Sequence, residues 1–336
     1  MFRRAGMPIL IWKLTPMKVV ITDYSFPDLN VEEEILQAAG HSIVAWKEKK
    51  PASELSALVA DADAVITQFA PVTAEVIASM RKARVIVRYG VGVDNVDLEA
   101  AQVRGIPVCN VPGFCIDEVA DHTLAFILAA TRQVLQNCLH VREGKWGLAT
   151  PLSELRTLRD QTVGIVGFGR IGREVAVRLA SFKSRRLVFD PVVSADVIQA
   201  AGCEAVSLDA LLAQSDIVTL HCPSTPQTRK LLNADSFARL RPGAIVVNLG
   251  RGELIDTPSL VAALQSGHVA AAALDVCDPE PIPLDSPLRS MPNVITASHI
   301  ASASVKSVRT LRQTAAQIAL TALRGETLAN IVNGVK

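Results

Sequence analysis

The chain has 336 residues, 49% of them hydrophobic and 20% charged, and 34 Lys and Arg against 33 Asp and Glu leave a net charge of +1. That length accommodates two domains of ordinary size, and the composition is that of a globular protein with large cores. The near-zero charge argues against a nucleic-acid-binding surface, and no apolar run approaches the roughly 20 residues that a membrane span needs.

Arg3, Arg4 and Pro8-Ile-Leu-Ile-Trp12 have the look of a signal peptide, but the apolar run stops at Lys13 and no small-residue cleavage site follows. Residues 1–16 therefore read as a peripheral extension, from an upstream start codon. Met17 immediately precedes the first strand pattern. The cysteines Cys109, Cys115, Cys138, Cys203, Cys222 and Cys277 contain no C-x-x-C pair and no zinc spacing. They read as idle or buried thiols in a reducing cytoplasm, and no metal site is expected.

Residues 17–110 alternate β-rich runs with helical patterns. The expected strands are Val19–Thr22, Ser42–Ala45, Ala64–Thr67, Val85–Arg88 and Pro107–Cys109. Glu32–Ala39, Ala52–Ala60, Thr73–Met80 and Asp97–Val103 carry helical spacing between them. This is a small α/β unit with a parallel sheet. Pro112-Gly113 punctuates it. A long helix is expected next, from Asp117 to about Arg142. Its apolar positions are too broad for one exposed face, as in a helix buried between domains or subunits.

A second α/β series starts at Thr162. Its expected strands are Val163–Val166, Leu187–Asp190, Ile217–His221, Ala244–Leu249, Ala271–Leu274 and Asn293–Thr296. Helices include Ile171–Ala180 and Thr257–Leu264, the latter with Asp256 as N-cap and Pro258 in its first turn. A last helix covers about Ala303–Leu323.

The second series opens on Val163-Gly-Ile-Val-Gly167-Phe-Gly169-Arg-Ile-Gly172, an apolar strand running into a glycine turn and a helix. Gly167 permits the turn, Gly169 lets backbone approach a pyrophosphate, and Gly172 lets helix and strand pack closely. The pyrophosphate would sit on the helix N-terminus. Asp190 ends the next apolar run, where a carboxylate can accept from both adenosine ribose hydroxyls. It would repel a 2′-phosphate, and Pro191-Val192-Val193 supplies no cation to offset that, so NAD is expected rather than NADP. The first series has no glycine phosphate loop and should carry the substrate.

Several polar residues lie just past strands of the second series, where parallel sheets bind ligands. Arg251, flanked by Gly250 and Gly252 as if for tight approach to a ligand, could grip a carboxylate and polarise a carbonyl. Asp275 could be a turn acid or a contact to the nicotinamide end of the cofactor. Glu280 and His299, brought together, would make an acid/base pair in which the carboxylate stabilises the imidazolium. His122, His221 and His268 lack such a setting and read as structural.

Taken in order, these motifs resemble the D-isomer-specific 2-hydroxyacid dehydrogenase family, nearly throughout from Met17. The resemblance rests on Arg88-Tyr-Gly-Val-Gly-Val-Asp94-Asn95, Gly167–Gly172 with Asp190, and His221-Cys-Pro-Ser-Thr-Pro-Gln-Thr228. It continues through Asn248-Leu-Gly-Arg251-Gly252, Ala273-Leu-Asp275-Val276, Glu280-Pro281 and Ser298-His299-Ile-Ala-Ser302. It implies an α/β protein of two doubly wound parallel-sheet domains. A Rossmann NAD-binding domain, 112–301, is inserted into a flavodoxin-like substrate domain, 17–111 with 302–336, with hinge crossings near Pro112 and Ser302 and closure that excludes water.

The implied catalytic set is Arg251, Glu280 and His299. The implied cofactor contacts are Gly167, Gly169, Arg170, Ile171, Gly172, Asp190, Cys222, Thr228, Leu249, Gly250, Arg251, Asp275 and His299. Backbone of Val91 and Gly92, with Arg251 and His299, would bind a small 2-hydroxy or 2-keto acid. A homodimer through the Asp117–Arg142 helix and the segment around Trp146 is also implied. Ser298 stands where the family usually has proline, and Cys277 where phenylalanine is common. Val111–His122 looks closest to the C-terminal-binding-protein-like branch and its bacterial relatives, with phosphoglycerate and hydroxypyruvate reductases near neighbours. The alternative function is an NAD(H)-sensing binding protein of that branch. Ser302 weakens it, because animal corepressors carry an aromatic residue there. Gln68, Phe69 and Tyr89 are expected to shape substrate selectivity.

Overall fold

A computed structural model describes residues 15–335; the expected extension over residues 1–16 lies almost wholly outside them. The chain divides into two compact units, one running to Phe114 and resuming at Val308, the other Cys115–Ser307.

In the first unit, β1 (Lys18–Ile21), β2 (Ser42–Ala45), β3 (Ala64–Thr67), β4 (Ile86–Arg88) and β5 (Val108–Cys109) form an all-parallel sheet of order β2-β1-β3-β4-β5. This is the flavodoxin-like doubly wound order. The central strands are apolar at consecutive positions because both faces are covered. Val19, Ile21, Ile66 and Val87 face a core completed by Leu311, Ala315, Ala319 and Leu323 of the last helix, Val305–Leu323. Val20, Val65, Ile86 and Val108 face a second core built from helices Ala52–Val59, Ala74–Ser79 and Leu98–Val103. Side chains that alternate along each strand thus reach opposite cores.

In the second unit, β6 (Thr162–Val166), β7 (Arg185–Phe189), β8 (Glu204–Ala205), β9 (Ile217–Leu220), β10 (Ala244–Asn248), β11 (Val269–Leu274) and β12 (Val294–Thr296) form one parallel sheet. Its order is β12-β11-β10-β9-β6-β7-β8, the Rossmann order extended by one strand. The chain reverses direction across the sheet between β6 and β9, so their carboxyl ends open the crevice in which such sheets bind ligands. The short strand β8 was not expected: Glu204-Ala205 carries no run of apolar or β-branched residues.

Two sequence expectations need correction. The long helix is two helices, Ile116–Thr131 and Val134–Arg142, separated by Gln133 in left-handed backbone at φ 49°. The breadth of apolar positions in the first has an internal cause. It packs on the helix Arg170–Ala180 and on β10 and β11 of its own unit, burying Val119, Leu124, Phe126 and Ile127. The second helix buries none of its residues. The other correction concerns Gly250 and Gly252, whose neighbours are protein rather than ligand. A Cβ on Gly252 would lie 2.0 Å from the Cys277 carbonyl oxygen, and one on Gly250 within 3.3 Å of the Leu220 and Cys222 carbonyls.

Candidate active site

The glycine loop leaves the carboxyl end of β6 and enters the eleven-residue helix Arg170–Ala180. Gly167 has φ +95°, and a Cβ there would lie 2.7 Å from the backbone of His221 and Cys222 after β9. At Gly172 a Cβ would lie 2.1 Å from the Gly167 carbonyl oxygen. Those two glycines are required by the protein itself. Gly169 differs, since a Cβ there would meet no heavy atom within 4 Å. No side chain caps this helix, so the N–H groups of its first turn point outward beside an open glycine. That combination fits a dinucleotide pyrophosphate. Arg170 and Ile171 form the first helical turn.

Asp190 follows β7 and reaches across to this loop. Its carboxylate accepts from the N–H of Phe168 at 2.7 Å, Val192 at 2.8 Å and Val193 at 3.0 Å. Partial burial raises its pKa, but those three donors and the charge of Arg173 outweigh it and hold the group below its ordinary range. A cation therefore does act on Asp190. It comes from the helix, not from the residues that follow Asp190, which is why the local sequence did not reveal it. Arg173 is itself held by the Phe168 carbonyl.

Other expected cofactor positions lie in the segments that follow β9 and β10. Cys222 follows β9, and burial pushes its thiol up to about 11. Thr228 uses its hydroxyl locally, donating to the Pro223 carbonyl and accepting from the Thr225 N–H. Leu249 is buried and Gly250 partly so, at the end of β10. His221 is desolvated to about 4, and its Nε2 bonds Thr219 Oγ1.

The acid/base residues come from two loops of this unit. His299 Nδ1 lies 2.7 Å from Glu280 Oε1. Burial raises the Glu280 pKa, but the His299 hydrogen bond and charge, the Cys277 N–H and the Arg251 charge together lower it overall. The carboxylate therefore stays ionised near neutrality, and the ring nitrogen facing it, Nδ1, carries a proton as its donor.

His299 adopts φ 57°, an uncommon conformation for a residue with a side chain. Asp275, after β11, holds it there. His299 N–H donates to the Asp275 carbonyl at 2.8 Å. Ile300 and Ala301 N–H donate to the two Asp275 carboxylate oxygens at 2.8 and 2.9 Å. Asp275 is only 2% exposed, and sequence reasoning missed this loop-holding contact because its partners lie 25 residues on. Asn248 does the same for the arginine loop, donating to the Arg251 carbonyl and accepting from Gly250 N–H. Arg251 is partly buried, with Nη1 on the Gly250 carbonyl.

In the first unit, Gly90 to Gly92 follow β4. Gly90 has φ +152°, and a Cβ there would overlap the Arg88 guanidinium. The carbonyls of Tyr89, Gly90 and Val91 are taken by Arg88 Nη1, Val111 N–H and Asn110 Nδ2. The N–H groups of Val91 and Gly92 have no acceptor among the described residues. Two residues expected to shape selectivity are committed elsewhere. The Gln68 amide is bonded to Ser25 through both ends, and Tyr89 is 1% exposed. Phe69 is 37% exposed, with the cations of Lys49 and Arg88 over its ring.

No group of three metal-binding side chains occurs among the described residues, and no helix there is long and apolar enough to cross a membrane.

A Rossmann sheet with an uncapped glycine-loop helix, an ionised acid at the neighbouring strand and a paired histidine defines a nicotinamide-dependent oxidoreductase. Comparison with known proteins narrows the class. Residues 124–301 match the family model of the D-isomer specific 2-hydroxyacid dehydrogenase NAD binding domain. The chain is 39% identical to a glyoxylate reductase of Korarchaeum cryptofilum over 86% of its own length and 88% of that protein's. It is 38% identical to a D-3-phosphoglycerate dehydrogenase of Mycobacterium leprae over 86% of its length, and spans only 54% of that protein. The crystal structure of D-lactate dehydrogenase from Aquifex aeolicus complexed with NAD and lactic acid superposes with a TM-score of 0.82 at 27% identity, covering 92% of this chain and 96% of that one. The chain belongs to the D-isomer-specific 2-hydroxyacid dehydrogenase family, whose cofactor is NAD.

Proposed function

We propose that the protein interconverts a D-2-hydroxy acid and its 2-keto acid, with residues up to about 111 and from about 302 as the substrate domain and the segment between as the cofactor domain. The observation that carries this reading is the 2.7 Å contact between His299 Nδ1 and Glu280 Oε1, in the unit that also holds a glycine loop suited to a dinucleotide.

Gly167, Gly169, Arg170, Ile171 and Gly172 would hold the pyrophosphate, and Asp190 the adenosine ribose. Cys222, Thr228, Leu249, Gly250 and Asp275 would line the rest of the cofactor path, Asp275 mainly by fixing the loop of His299. Bound NADH supplies the hydride. The chain's residues do the remainder. The N–H groups of Val91 and Gly92 bind the substrate carboxylate. Arg251 stabilises negative charge developing on the carbonyl oxygen, a fixed charge needing no reorganisation during the reaction. His299 Nε2 delivers a proton to that oxygen, while Glu280 keeps Nδ1 protonated and balances the imidazolium. In the oxidative direction His299 takes the hydroxyl proton.

Kinship with a protein named glyoxylate reductase over most of that protein's length favours a short 2-keto acid. The partial coverage of the phosphoglycerate dehydrogenase leaves that substrate as the alternative. The test is NADH oxidation against glyoxylate, hydroxypyruvate, pyruvate, 2-ketoisocaproate and 3-phosphohydroxypyruvate, with NADPH as control. Turnover on one of them that His299→Gln abolishes supports the reading. Tight NADH binding without turnover on any would favour the NAD(H)-sensing alternative.

We also infer a homodimer through Val134–Leu152. Val134, Trp146 and Leu152 are 54%, 91% and 72% exposed, and a cavity of about 500 Å³ lined by Gln136, Leu139, Arg156 and Asp216 adjoins them. Apolar surface of that extent needs a cover. Sedimentation should give a dimer, and Trp146→Asp should weaken it. A monomeric wild type would sink this inference.

A further inference from the structure

A buried ionic cluster in the first unit takes no part in the chemistry above. Glu32, from helix Asn30–Leu36, is fully buried. Arg312, from the last helix, donates to it from Nε at 3.0 and 3.1 Å and from Nη2 at 2.7 Å. Nη2 also donates to the Asp28 carbonyl at 2.7 Å, and the guanidinium lies 5.0 Å from the Phe26 ring centroid. The third member is Tyr89, whose hydroxyl donates to Glu32 Oε1 at 2.9 Å and whose ring meets Phe26 edge-on at 5.3 Å.

A buried ion pair is weak evidence for stability, since well-packed apolar residues often do as well. Its placement is what needs explaining. Tyr89 is the residue immediately before Gly90-Val91-Gly92. Its N–H continues the parallel ladder onto the Thr67 carbonyl at 2.8 Å, so its backbone and hydroxyl are fixed at opposite ends. Burial and the Glu32 charge push the hydroxyl pKa well above its ordinary value, so it stays a donor. From Tyr89 through Val91 every carbonyl meets a protein donor, while the N–H groups of Val91 and Gly92 have no acceptor among the described residues.

We propose that Glu32 and Arg312 act through Tyr89 as positioning residues for the carboxylate-binding loop, fixing the direction of the Val91 and Gly92 N–H groups. The inference rests on the reading of those groups as the substrate-carboxylate donors. It also gives the returning C-terminal segment a function: Arg312 locks the loop from a part of the chain far away in sequence.

The experiment titrates oxamate, a carboxylate with an amide in place of the reducible carbonyl, into the NADH-saturated enzyme and its variants. Tyr89→Phe removes one hydroxyl and leaves the Glu32–Arg312 bonds intact, so the fold persists. Its oxamate affinity should fall about three- to tenfold, the range of one lost buried hydrogen bond. The KM for the keto acid should rise in parallel, with kcat and NADH affinity unchanged. Arg312→Met should show a larger KM change if it folds, and Glu32→Gln, which keeps an acceptor for Tyr89, a smaller one. Gly92→Pro, which deletes an N–H donor, separates this proposal from the reading beneath it. Unchanged oxamate affinity in Gly92→Pro, or no oxamate binding by the wild type, overturns the carboxylate reading and the proposal with it. Loss of affinity in Gly92→Pro but not in Tyr89→Phe overturns the positioning proposal alone. A fall in kcat with unaltered KM in Tyr89→Phe also overturns it.

Discussion

Gly169→Ala and Gly172→Ala alter neighbouring glycines of one loop, yet they should fail in different ways. At Gly169 the backbone sits at φ −71°, ψ −159°, accessible to alanine, and a Cβ meets no protein atom within 4 Å. Replacing glycine there lowers unfolded-state entropy and slightly weakens the helix N-cap, two effects of opposite sign and about 0.5–1 kcal/mol each. The melting temperature should therefore move by no more than about 2–4 °C. NADH affinity should not survive as well. The methyl group occupies the approach to the first-turn N–H groups, and loss of one charge-assisted hydrogen bond, about 1.5–3 kcal/mol, raises Kd about 10- to 150-fold.

At Gly172 the added Cβ lies 2.1 Å from the Gly167 carbonyl oxygen, a backbone atom. Either loop or helix must shift, at about 1–3 kcal/mol, lowering the melting temperature by about 3–10 °C along with affinity. Scanning calorimetry and fluorescence titration with NADH measure both quantities. A folded Gly169→Ala protein that binds NADH as tightly as the wild type would refute the placement of the pyrophosphate.

Further perturbations address the acid/base loops and the thiols. Glu280→Gln removes the charged partner of His299, which is partly exposed; allowing for that exposure, kcat should fall about 10- to 30-fold with little change in NADH Kd. Equal loss of cofactor binding would contradict the assigned role. Asp275→Asn sets an amide donor against an Ile300 or Ala301 N–H, a cost of about 1–3 kcal/mol concentrated on the His299 loop. A thermally stable variant with wild-type kcat would show that the loop needs no such clamp. The Asp190 pKa is depressed below its ordinary 3.8, so its ionised form stabilises the fold above that pH and the contribution is lost as pH falls through the folded value. The unfolding free-energy difference between wild type and Asp190→Asn should accordingly be constant near neutrality and shrink below about pH 4; a difference that grows with acid would reverse the sign of the argument. Burial holds the thiols of Cys222 and Cys277 at about 11, so iodoacetamide at pH 8 should leave both unmodified in the native protein by mass spectrometry.

Local sequence determined much of this protein. Strands buried on both faces announce themselves as short apolar runs, and strand, glycine turn and helix in β6 to Gly172 need only neighbouring residues to be recognised. Arg251 and His299 stood out as polar residues just past apolar strands, whereas Glu280, in a proline-rich loop, was singled out through its pairing with His299 and the family resemblance. Tertiary structure decided what depends on partners distant in the chain. The broad apolar helix from Ile116 finds its burial inside its own unit, against β10, β11 and a helix that begins at Arg170, and the left-handed backbone of Gln133 separates it from the next helix. Gly252 is small because Cys277 backbone presses on it. Asp275 serves the His299 loop rather than an ordinary turn, and Tyr89 points into a core closed by Arg312. Periodicity reports which side chains leave water. Only the packed chain reports which hydrogen-bond donors and acceptors meet, since those pairings are set by the return of the chain across a sheet and not by the spacing of residues along it.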